Sequence, residues 1–489
     1  MTTRSISRQD GGLASRTLAR PDPSFYPSPR MAAEAPPETV AYVAVINPTP
    51  EDGRPDALRV IDVDRNSPTF GQDVGGVALP NAGDELHHFG WNACSSALCP
   101  AAPHPHVERR YLIVPGLRSS RLHIIDTKGD GGPTAPEIVR VIEAETLHQK
   151  VGYSRPHTVH CGPDGIYMSA LGAPDGNGPG GVFVLDHETF EPVRRWEADR
   201  GPQYLAYDFW WHLTQDVMLT SEWGTPNMVE KGLDLEALVG RKYGQAVHVW
   251  DLRRRTHQQR LPVGPDDQMV LELRPAHDPL KSYGFVGVVT NVADLSASIW
   301  LWHRVGGLDK TEGPFTLTEV ARIPAEPADP ALLPPALQPF GAVPPLVSDI
   351  GLSVDDRFLY VSCWGTGELR QYDVRDPLHP KQSGSVHLGG IVRRAAHPSA
   401  PDVPLAGGPQ MLEVSRDGRR VYVTNSLYLS WDAQFYPAGM DGWMAKLDAA
   451  PSGGLAADSG FLTRFPDGLR PHQVRLAGGD ASSDSYCFP

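Results

Sequence analysis

RRYLIVPGLRSSRLHIIDTKGD, residues 109–130, sets the pattern on which much of the chain is built. A run rich in apolar and β-branched residues leads into a Gly/Ser-rich turn, and a second such run ends in an aspartate. Short runs of this kind, bounded by turn residues, are typical of β-strands. The segment therefore predicts two strands joined by a tight turn.

The same unit recurs along the chain. Copies or partial copies occupy residues 41–68, 164–193, 245–263, 355–377 and 417–431. Strand units repeated every few tens of residues favour a β-propeller, because one blade cannot bury its own faces. We count six or seven units and predict an all-β, seven-bladed β-propeller that forms a single domain over residues 36–489. A pair of packed β-sheets is the structural alternative.

Three segments depart from this repeat. Residues 1–35 are rich in Ser, Arg, Pro and Ala without periodicity, which predicts a flexible N-terminal leader. Residues 228–244 have an apolar spacing that predicts a short helix. Residues 327–345 are too rich in proline for regular structure, so we expect a long surface loop at a site entrance.

The composition of the chain argues against several classes of function and location. The chain has 489 residues and a formal net charge of -14, which argues against nucleic-acid binding through a basic face. It contains no run of about eighteen apolar residues, so we expect no membrane span. The polar N-terminus, MTTRSISRQDGG, lacks the apolar core of a secretory signal and predicts a cytoplasmic protein.

Cysteine usage gives no sign of a disulfide framework. The five cysteines are odd in number and widely spaced. Cys94 and Cys99 are close in sequence but have no matching second pair, so a zinc site of the paired-CxxC kind is unsupported.

The richest cluster of chemically reactive side chains is DELHHFGWNACSS, residues 84–96. His87, His88 and Cys94 are all ligands for soft or borderline metals, and Cys94 is also a candidate nucleophile. Neighbouring residues of a strand point to opposite faces. We therefore expect at most one of the two histidines to bind a metal directly, unless the backbone turns there.

A histidine in an Arg-Pro setting recurs in three further units. RPHTVHC contains His157 and His160, RPAHDP contains His277, and RPHQVR contains His472. The inner strands of a propeller line one channel, where histidines from different blades can converge. We expect at least three of the six histidines to bind one metal, with copper or zinc favoured over magnesium or calcium.

Other residues are predicted to support such a site or to lie on the surface. Glu222, in SEWGTPN, is a candidate catalytic residue that orients a ligand histidine. Trp91, Phe209, Trp210 and Trp223 are candidates for the wall of a small dry pocket. Eight other histidines sit among Pro, Gly or charged residues and are expected on surface loops: His104, His106, His187, His257, His303, His379, His387 and His397. No GxGxxG opening a helix, GxxxxGK[ST], HExxH or GxSxG motif is present, so nucleotide and serine-hydrolase chemistry have no local support.

The ordered series of motifs resembles the selenium-binding protein family, whose members include methanethiol oxidases. The matching segments run from about residue 40 to the C-terminus and include DELHHFGWNACSS (84–96), HTVHC (157–161), GNGPGGVFVLDHETFE (176–191), TSEWGTPN (220–227), DDRFLYVSCWGTGELRQYDVRDP (355–377), SLYLSWDAQFYP (426–437) and AGGDASSD (477–484).

The resemblance implies a seven-bladed propeller that oxidises methanethiol with oxygen and water to formaldehyde, hydrogen sulfide and hydrogen peroxide. It implies copper as the cofactor, and Cys94 matches the cysteine associated with selenium binding. The implied partners are a small volatile thiol and oxygen, and a copper-delivery protein is a further candidate. The copper ligands carried over by motif are His87, His88, His157, His160, His277 and His472.

Two departures from the family pattern bear on this activity. Where many members have SNWLHGD, this chain has SCWGTGE (362–368), which places Thr366 at the family's histidine. Where many members end with GGDCSSD, this chain has Ala481 in the cysteine position. The alternative function is a non-catalytic propeller that binds selenium or a metal through Cys94 and acts on a protein partner, since propellers are frequent interaction scaffolds.

Overall fold

The unit quoted above folds as the two middle strands of a four-stranded antiparallel sheet. In this computed structural model, which describes residues 21–489 except 101, 103 and 163, Tyr111–Pro115 pairs with Leu122–Asp126 and Ile113 lies opposite Ile124. Nearly every residue of both strands is buried. Successive side chains of a strand point to opposite faces, so both faces of this sheet are covered by neighbours.

Seven such sheets confirm the predicted seven-bladed β-propeller. The strands in chain order are β1 (Val40–Ile46), β2 (Ala57–Asp62), β3 (Asp73–Ala78), β4 (Gly90–Trp91), β5 (Tyr111–Pro115), β6 (Leu122–Asp126), β7 (Glu137–Ile142), β8 (Ser154–Gly162), β9 (Gly165–Gly172), β10 (Gly181–Leu185), β11 (Pro192–Arg195), β12 (Phe209–His212), β13 (Val217–Ser221), β14 (Ala246–Asp251), β15 (Thr256–Pro262), β16 (Asp267–Pro275), β17 (Tyr283–Asn291), β18 (Ala297–Arg304), β19 (Phe315–Ile323), β20 (Glu326–Pro327), β21 (Ala342–Val343), β22 (Val347–Leu352), β23 (Phe358–Cys363), β24 (Glu368–Asp373), β25 (Lys381–His387), β26 (Leu412–Val414), β27 (Arg420–Thr424), β28 (Trp443–Ala449), β29 (Leu455–Arg464) and β30 (Arg470–Leu476).

The blades follow the chain except at its ends. Blade 1 is β30 with β1–β3, and blades 2 to 7 are β4–β7, β8–β11, β12–β15, β16–β19, β22–β25 and β26–β29. In blade 1, β30 pairs antiparallel with β1, with Val474 opposite Val43. The last strand of the chain therefore closes the ring against the first.

The first strand of each blade lines the central channel. These inner strands contact one another around the ring, as β4 does with β8 and β16 with β22. The outermost strands, such as β15 and β25, consist mostly of partly or fully exposed residues. Apolar clusters fill the spaces between blades; one of them joins Ile113 and Ile124 of blade 2 to Val159 and Met168 of blade 3.

Helices are short and lie outside the blades. They are α1 (Pro29–Ala32), α2 (Ala144–Val151), α3 (Pro226–Val229), α4 (Leu235–Val239) and α5 (Leu429–Phe435). The single helix predicted over 228–244 is instead the pair α3 and α4, because Gly232 interrupts it at φ 100°. Among the described residues, no helix combines the length and apolar character needed to cross a membrane.

The proline-rich segment 327–345 is more ordered than predicted. It begins and ends in β20 and β21, which pair with each other. Leu333 and Leu337 are buried in the same apolar cluster as Trp223 and Trp431. This segment therefore packs onto the molecule beside the pocket described below.

The predicted leader differs from a flexible segment in its described part, residues 21–35. Asp22 accepts a hydrogen bond from the Arg109 backbone at 3.0 Å. The Tyr26 backbone donates to the Ser95 hydroxyl at 3.0 Å, and Phe25 is buried. This part is held by blade 2; residues 1–20 lie outside the described part of the chain.

One disulfide corrects the expectation from cysteine spacing. Cys99, after β4, is bonded to Cys487 near the C-terminus. Sequence distance hides this pair, because the closed ring brings the C-terminal tail beside blade 2. Cys94, Cys161 and Cys363 are free and buried.

Candidate metal centre

Four histidines from three adjacent blades meet at one end of the channel. His87 and His88 directly precede β4, His157 lies near the start of β8, and His472 lies near the start of β30. Each is at most 3% exposed. Because blades 1, 2 and 3 are neighbours in the ring, the starts of their inner strands converge.

The four rings are packed against one another. The ring centroids of His87 and His472 are 4.1 Å apart, and those of His88 and His157 are also 4.1 Å apart. The cross pairs His87–His157 and His88–His472 are separated by 5.9 and 5.7 Å. Four imidazoles thus surround one small volume.

The backbone turns where both neighbouring histidines enter this cluster. Glu85 has φ 54°, and Leu86 makes only an isolated bridge to Gly116 before β4 begins. His87 and His88 therefore do not follow the alternation of a regular strand. This is the exception under which both were predicted to reach one site.

Three of the ring nitrogens have no partner within the described part of the protein and could bind a metal. Nε2 of His87, His88 and His472 is buried without a hydrogen-bond partner. His472 Nδ1 lies 2.8 Å from the carbonyl oxygen of Ser426, so it donates there and leaves the Nε2 lone pair free. Buried nitrogens are normally satisfied, and ligation of an ion is one of the recognised reasons when they are not.

The charge state of the rings also fits a metal. Burial, reinforced by neighbouring imidazoles, holds the pKa of His88, His157 and His472 well below 6.5. Burial also lowers the pKa of His87, although Glu85 opposes it. Neutral imidazole is the form that binds zinc, copper, iron and nickel. The residues present therefore suit a transition metal.

Carboxylates lie beside two of the unpartnered nitrogens. Glu85 Oε1 lies 3.7 Å from His87 Nε2, and Glu272 Oε1 lies 3.7 Å from His88 Nε2, beyond hydrogen-bond distance. Because these nitrogens are the ones available to a metal, both carboxylates lie on the metal side of the rings. Glu85 is one of the acids in residues 84–96 and Glu272 belongs to no motif, so the sequence predicts no role for either.

A small apolar pocket opens beside the cluster. The space between its walls, including the part open to solvent, is about 450 Å³. Its walls are His87, His157, Tyr207, Trp223, Met269, Leu271, Val289, Leu346, Ser348, Leu427, Tyr428, Trp431 and His472. Of the four aromatics predicted to form a dry wall, Trp223 does so; Trp91, Phe209 and Trp210 pack elsewhere in the core.

Charged groups occupy the channel next to the cluster. Arg274 lies within 3.5 Å of carboxylate oxygens of Asp208, Glu272 and Asp349. Burial and the charge of Glu272 raise the pKa of Asp208 to about 8, and burial likewise raises the pKa of Glu272 and Asp349. At least one of the three carboxyl groups around this guanidinium therefore retains a proton at neutral pH.

Two of the six predicted ligands lie apart from the cluster. His160 stacks near Trp210 with ring centroids 3.9 Å apart, and its Nε2 is 4.0 Å from Asp208. Both ring nitrogens of His277 contact protein, one at 3.1 Å from Asp356 and the other at 2.8 Å from the Ala481 carbonyl oxygen. The structure thus brings together four of the six histidines.

Glu222 does orient a histidine, but not one of the cluster. Its Oε1 lies 2.8 Å from His248 Nε2, and His248 Nδ1 lies 2.8 Å from His257 Nε2. Its other oxygen accepts from the Gln245 backbone. These contacts place Glu222 in a buried network of blade 4.

Cys94 lies six residues beyond His88 and faces a different set of groups. Its thiol donates to the Cys161 carbonyl oxygen at 3.3 Å and lies 3.0 Å from the Ser96 hydroxyl. Burial raises the pKa of Cys94, but hydrogen bonding from Cys161 and Ser96 outweighs burial and lowers it. Beside Cys161 are His104 and His187, two histidines that the sequence wrongly suggested were surface residues; they are 3% and 8% exposed.

The two departures from the family pattern fall outside the four-histidine cluster. Thr366 follows β23 in blade 6 and does not line the pocket. Ala481 contributes its backbone, accepting from His277 and donating to the Val414 carbonyl oxygen at 2.9 Å. Neither position removes one of the four imidazoles.

These features define a seven-bladed β-propeller with a histidine-lined, apolar site at one end of its channel. The chain belongs to the 56 kDa selenium-binding protein family, whose description, "56kDa selenium binding protein (SBP56)", matches residues 19–487. This confirms the resemblance seen in the motifs.

Named relatives and a solved structure agree with that assignment. The human protein named "Methanethiol oxidase" is 37% identical over 485 residues, covering 94% of this chain and 98% of the relative. The mouse protein named "Selenium-binding protein 2" is 36% identical with the same coverage. The X-ray structure of a hypothetical selenium-binding protein from Sulfolobus tokodaii superposes with a TM-score of 0.91 at 57% identity, covering 96% of this chain and all of that one.

Proposed function

We propose that this chain is a copper-dependent methanethiol oxidase. One methanethiol, one oxygen molecule and one water give one formaldehyde, one hydrogen sulfide and one hydrogen peroxide; the methyl carbon is oxidised by two electrons and oxygen is reduced by two. The observation that best supports the proposal is the cluster of four buried imidazoles, three with unpartnered Nε2 atoms, at the wall of a small apolar pocket. The names of relatives at 36–37% identity over nearly the whole chain favour this chemistry.

His87, His88, His157 and His472 would hold the copper. Copper supplies a soft Lewis acid that favours the sulfur of the substrate, lowers its pKa and exchanges electrons with oxygen. The protein's own contribution starts with four neutral imidazoles, fixed by packing and by the Ser426 carbonyl oxygen. A site organised before binding needs little rearrangement when substrate arrives.

The pocket accounts for selection of a small, apolar thiol. Trp223, Leu271 and Trp431 present hydrocarbon surface next to the imidazoles. A methyl group gains from burial there, whereas a charged or hydroxylated thiol would leave polar groups unpaired. The walls also exclude water from the bound thiol.

Glu272 is the best-placed group to handle protons beside the site. Its Oε1 faces His88 and has no hydrogen-bond partner, and the Tyr207 hydroxyl also interacts with its carboxyl group. Its other neighbours, Arg274 and the carboxyl groups around it, extend away along the channel. Glu272 can therefore receive a proton released at the pocket and return it as peroxide forms.

The test is removal of two ligands from different blades. The variants His157→Ala and His472→Ala should each bind one copper ion fewer per chain. Their rate of peroxide release from methanethiol should fall at least about 100-fold. His379→Ala, at an exposed histidine, is the matched control and should keep both. Full copper content and activity in both cluster variants would overturn the assignment.

A substitution at Cys94 distinguishes the non-catalytic alternative, selenium or metal binding through Cys94, from the oxidase function. Cys94 is buried beside Cys161 and does not line the pocket. We therefore expect Cys94→Ala to abolish retention of selenite while sparing peroxide release. A variant that loses both activities together would favour a single role centred on Cys94. A cytoplasmic location and a copper-delivery partner stay predictions of the sequence.

A further inference from the structure

A second group of metal-binding side chains lies where blades 2 and 3 meet. His104 is in the loop between β4 and β5, Cys161 is next to the last residue of β8, and His187 follows β10 by two residues. All three are buried. Their sequence separations hide the group, since two loops and one inner strand must fold together to form it.

The donor atoms are spaced as ligands of one ion. The Sγ of Cys161 lies 3.8 Å from His104 Nε2 and 3.8 Å from His187 Nε2. All three donor atoms lie within 4.8 Å of one another. With bonds of about 2.05 Å to nitrogen and 2.3 Å to sulfur, a planar three-coordinate ion would hold nitrogen and sulfur about 3.8 Å apart, and a tetrahedral ion about 3.6 Å.

A hydrogen bond explains only part of this geometry. A thiol has one proton and can donate it to one imidazole at a time. The two imidazole rings lie side by side, with centroids 3.8 Å apart and an interplanar angle of 23°, and both Nε2 atoms are 3.8 Å from the same sulfur. Convergence of two nitrogens on one sulfur is the arrangement that a shared ion requires.

The donor set indicates which ion. Thiolate with imidazole selects soft or borderline metals such as copper(I) and zinc. Within the described part of the chain, no fourth His, Cys, Asp or Glu joins the group at these distances, whereas structural zinc sites are almost always four-coordinate. A thiolate with copper(I) is also electrically neutral, which reduces the cost of burying the complex.

We propose that His104, Cys161 and His187 form a second metal site, which binds copper(I) with one thiolate and two imidazoles. The site is separate from the four-histidine cluster. Cys161 and His157 are four residues apart on β8, which corresponds to about 13 Å along a strand. The proposal does not depend on the function proposed above, because it concerns different ligands and predicts binding and not turnover.

The first experiment counts copper. The full-length protein is titrated anaerobically with copper(I) against a competing chelator, and two ions per chain are expected. Cys161→Ser and His187→Asn should each bind one fewer, while His106→Asn should bind the full number. His106 is the matched control, because it lies in the same loop as His104 but is exposed and pairs with Glu188.

The second experiment begins with the wild-type protein, and variants then assign the sulfur. X-ray absorption of the copper-loaded wild-type protein should show a sulfur scatterer in addition to nitrogen. The signal should persist in Cys94→Ala and in His157→Ala/His472→Ala but disappear in Cys161→Ser. If only the four-histidine cluster fails to bind, the wild type holds one copper with sulfur, so failure of the two proposals can be told apart.

Three outcomes would overturn the second site. One is an all-nitrogen copper environment in the wild type. Another is equal copper binding by the wild type and a folded Cys161→Ser protein. The third is retention of zinc at Cys161 under copper excess, which would refute copper(I) as its ion.

Discussion

Two buried glutamates differ in the histidine that each one faces. Glu272 faces His88 across 3.7 Å, whereas Glu222 is bound to His248 in another part of the molecule. Both are buried residues in β-strand surroundings, and the sequence predicts Glu222 as the one that orients a ligand histidine. Of the two, Glu272 faces a histidine of the cluster, and it is the group that we propose to act on protons at the site.

Replacing Glu272 should therefore slow the reaction without removing the metal. Glu272→Gln keeps the shape of the side chain but cannot receive a proton at Oε1. We expect a fall of about 100-fold in peroxide release, typical of losing a general acid or base, with copper content unchanged. Stopped-flow turnover and elemental analysis measure the two quantities.

Glu222→Gln is the matched control for that experiment. It alters a buried carboxylate that contacts His248 and Gln245, whereas Glu272 faces His88 of the cluster. Its turnover should stay within a few-fold of wild type. Equal losses in both variants would mean that Glu272 contributes only to packing.

The sequence could identify single ligands only where a local pattern fixes the position of a histidine. In RPH at residues 155–157 and 470–472, histidine falls near the start of an inner strand. In RPAH, Arg274 and Pro275 end β16 and His277 lies beyond it, at the opposite end of the channel. The motif is similar, but its position along the strand differs, and the sequence does not show that difference.

At the level of strands and loops, the C-terminal tail binds the molecule together. Asp484 lies 2.6 Å from Arg109; burial raises the pKa of Asp484, but Arg109 and Arg416 bring it down to about 2. The Cys99–Cys487 disulfide fixes the same tail to the loop after β4, across 388 residues of sequence. The tail is thus attached on both sides of His104, through Cys99 and Arg109.

Removing the disulfide should lower the stability of the whole protein. Cys487→Ser frees the tail and enlarges the unfolded ensemble, so the free energy of unfolding should fall by about 2–4 kcal/mol. Urea denaturation of the wild type and the variant measures this difference. A reductant should destabilise the wild type to the same extent and leave the variant unchanged; an unchanged wild type in reductant would contradict the role of the disulfide.

Strands were easier to predict than the segments between them. Repeats such as residues 109–130 show their alternation directly, and they became the middle strands of blades. The outer strands are short of apolar residues and have weaker patterns. Because proline blocks regular structure, the sequence of 327–345 predicts a surface loop. In the structure, Leu333 and Leu337 of this segment pack into an apolar cluster.

For the molecule as a whole, the ring explains both its fold and the position of its site. Seven blades confirm the number of units estimated from the repeats. The convergence of His87, His88, His157 and His472 depends on blade 1 closing between the two ends of the chain. A repeat pattern predicts that inner strands share a channel, but not which residues meet, since that depends on register and on turns such as the one at Glu85.

Burial of neutral imidazoles should make the metal-free protein sensitive to acid. The pKa of His88, His157 and His472 is lowered in the folded state, so between about pH 7.5 and 5.5 the unfolded chain binds more protons than the folded one. Stability must therefore fall as pH falls. Each such imidazole contributes on the order of 1 kcal/mol over this interval.

Urea denaturation in the presence of a metal chelator tests that sign. His157→Gln should reduce the loss of stability between about pH 7.5 and 5.5 by on the order of 1 kcal/mol. His379→Gln, at an exposed site, should behave as the wild type. If His157→Gln keeps the full pH dependence, the imidazole is not held neutral by burial.

Copper-dependent oxidation of methanethiol is tested most simply by measuring metal content and product formation in the wild-type protein. The chain is produced with copper, its metals are determined by elemental analysis, and peroxide and sulfide are measured after methanethiol is added in air. We expect bound copper, and one peroxide and one sulfide for each methanethiol consumed. A folded protein that takes up no copper and stays inert after reconstitution would contradict it.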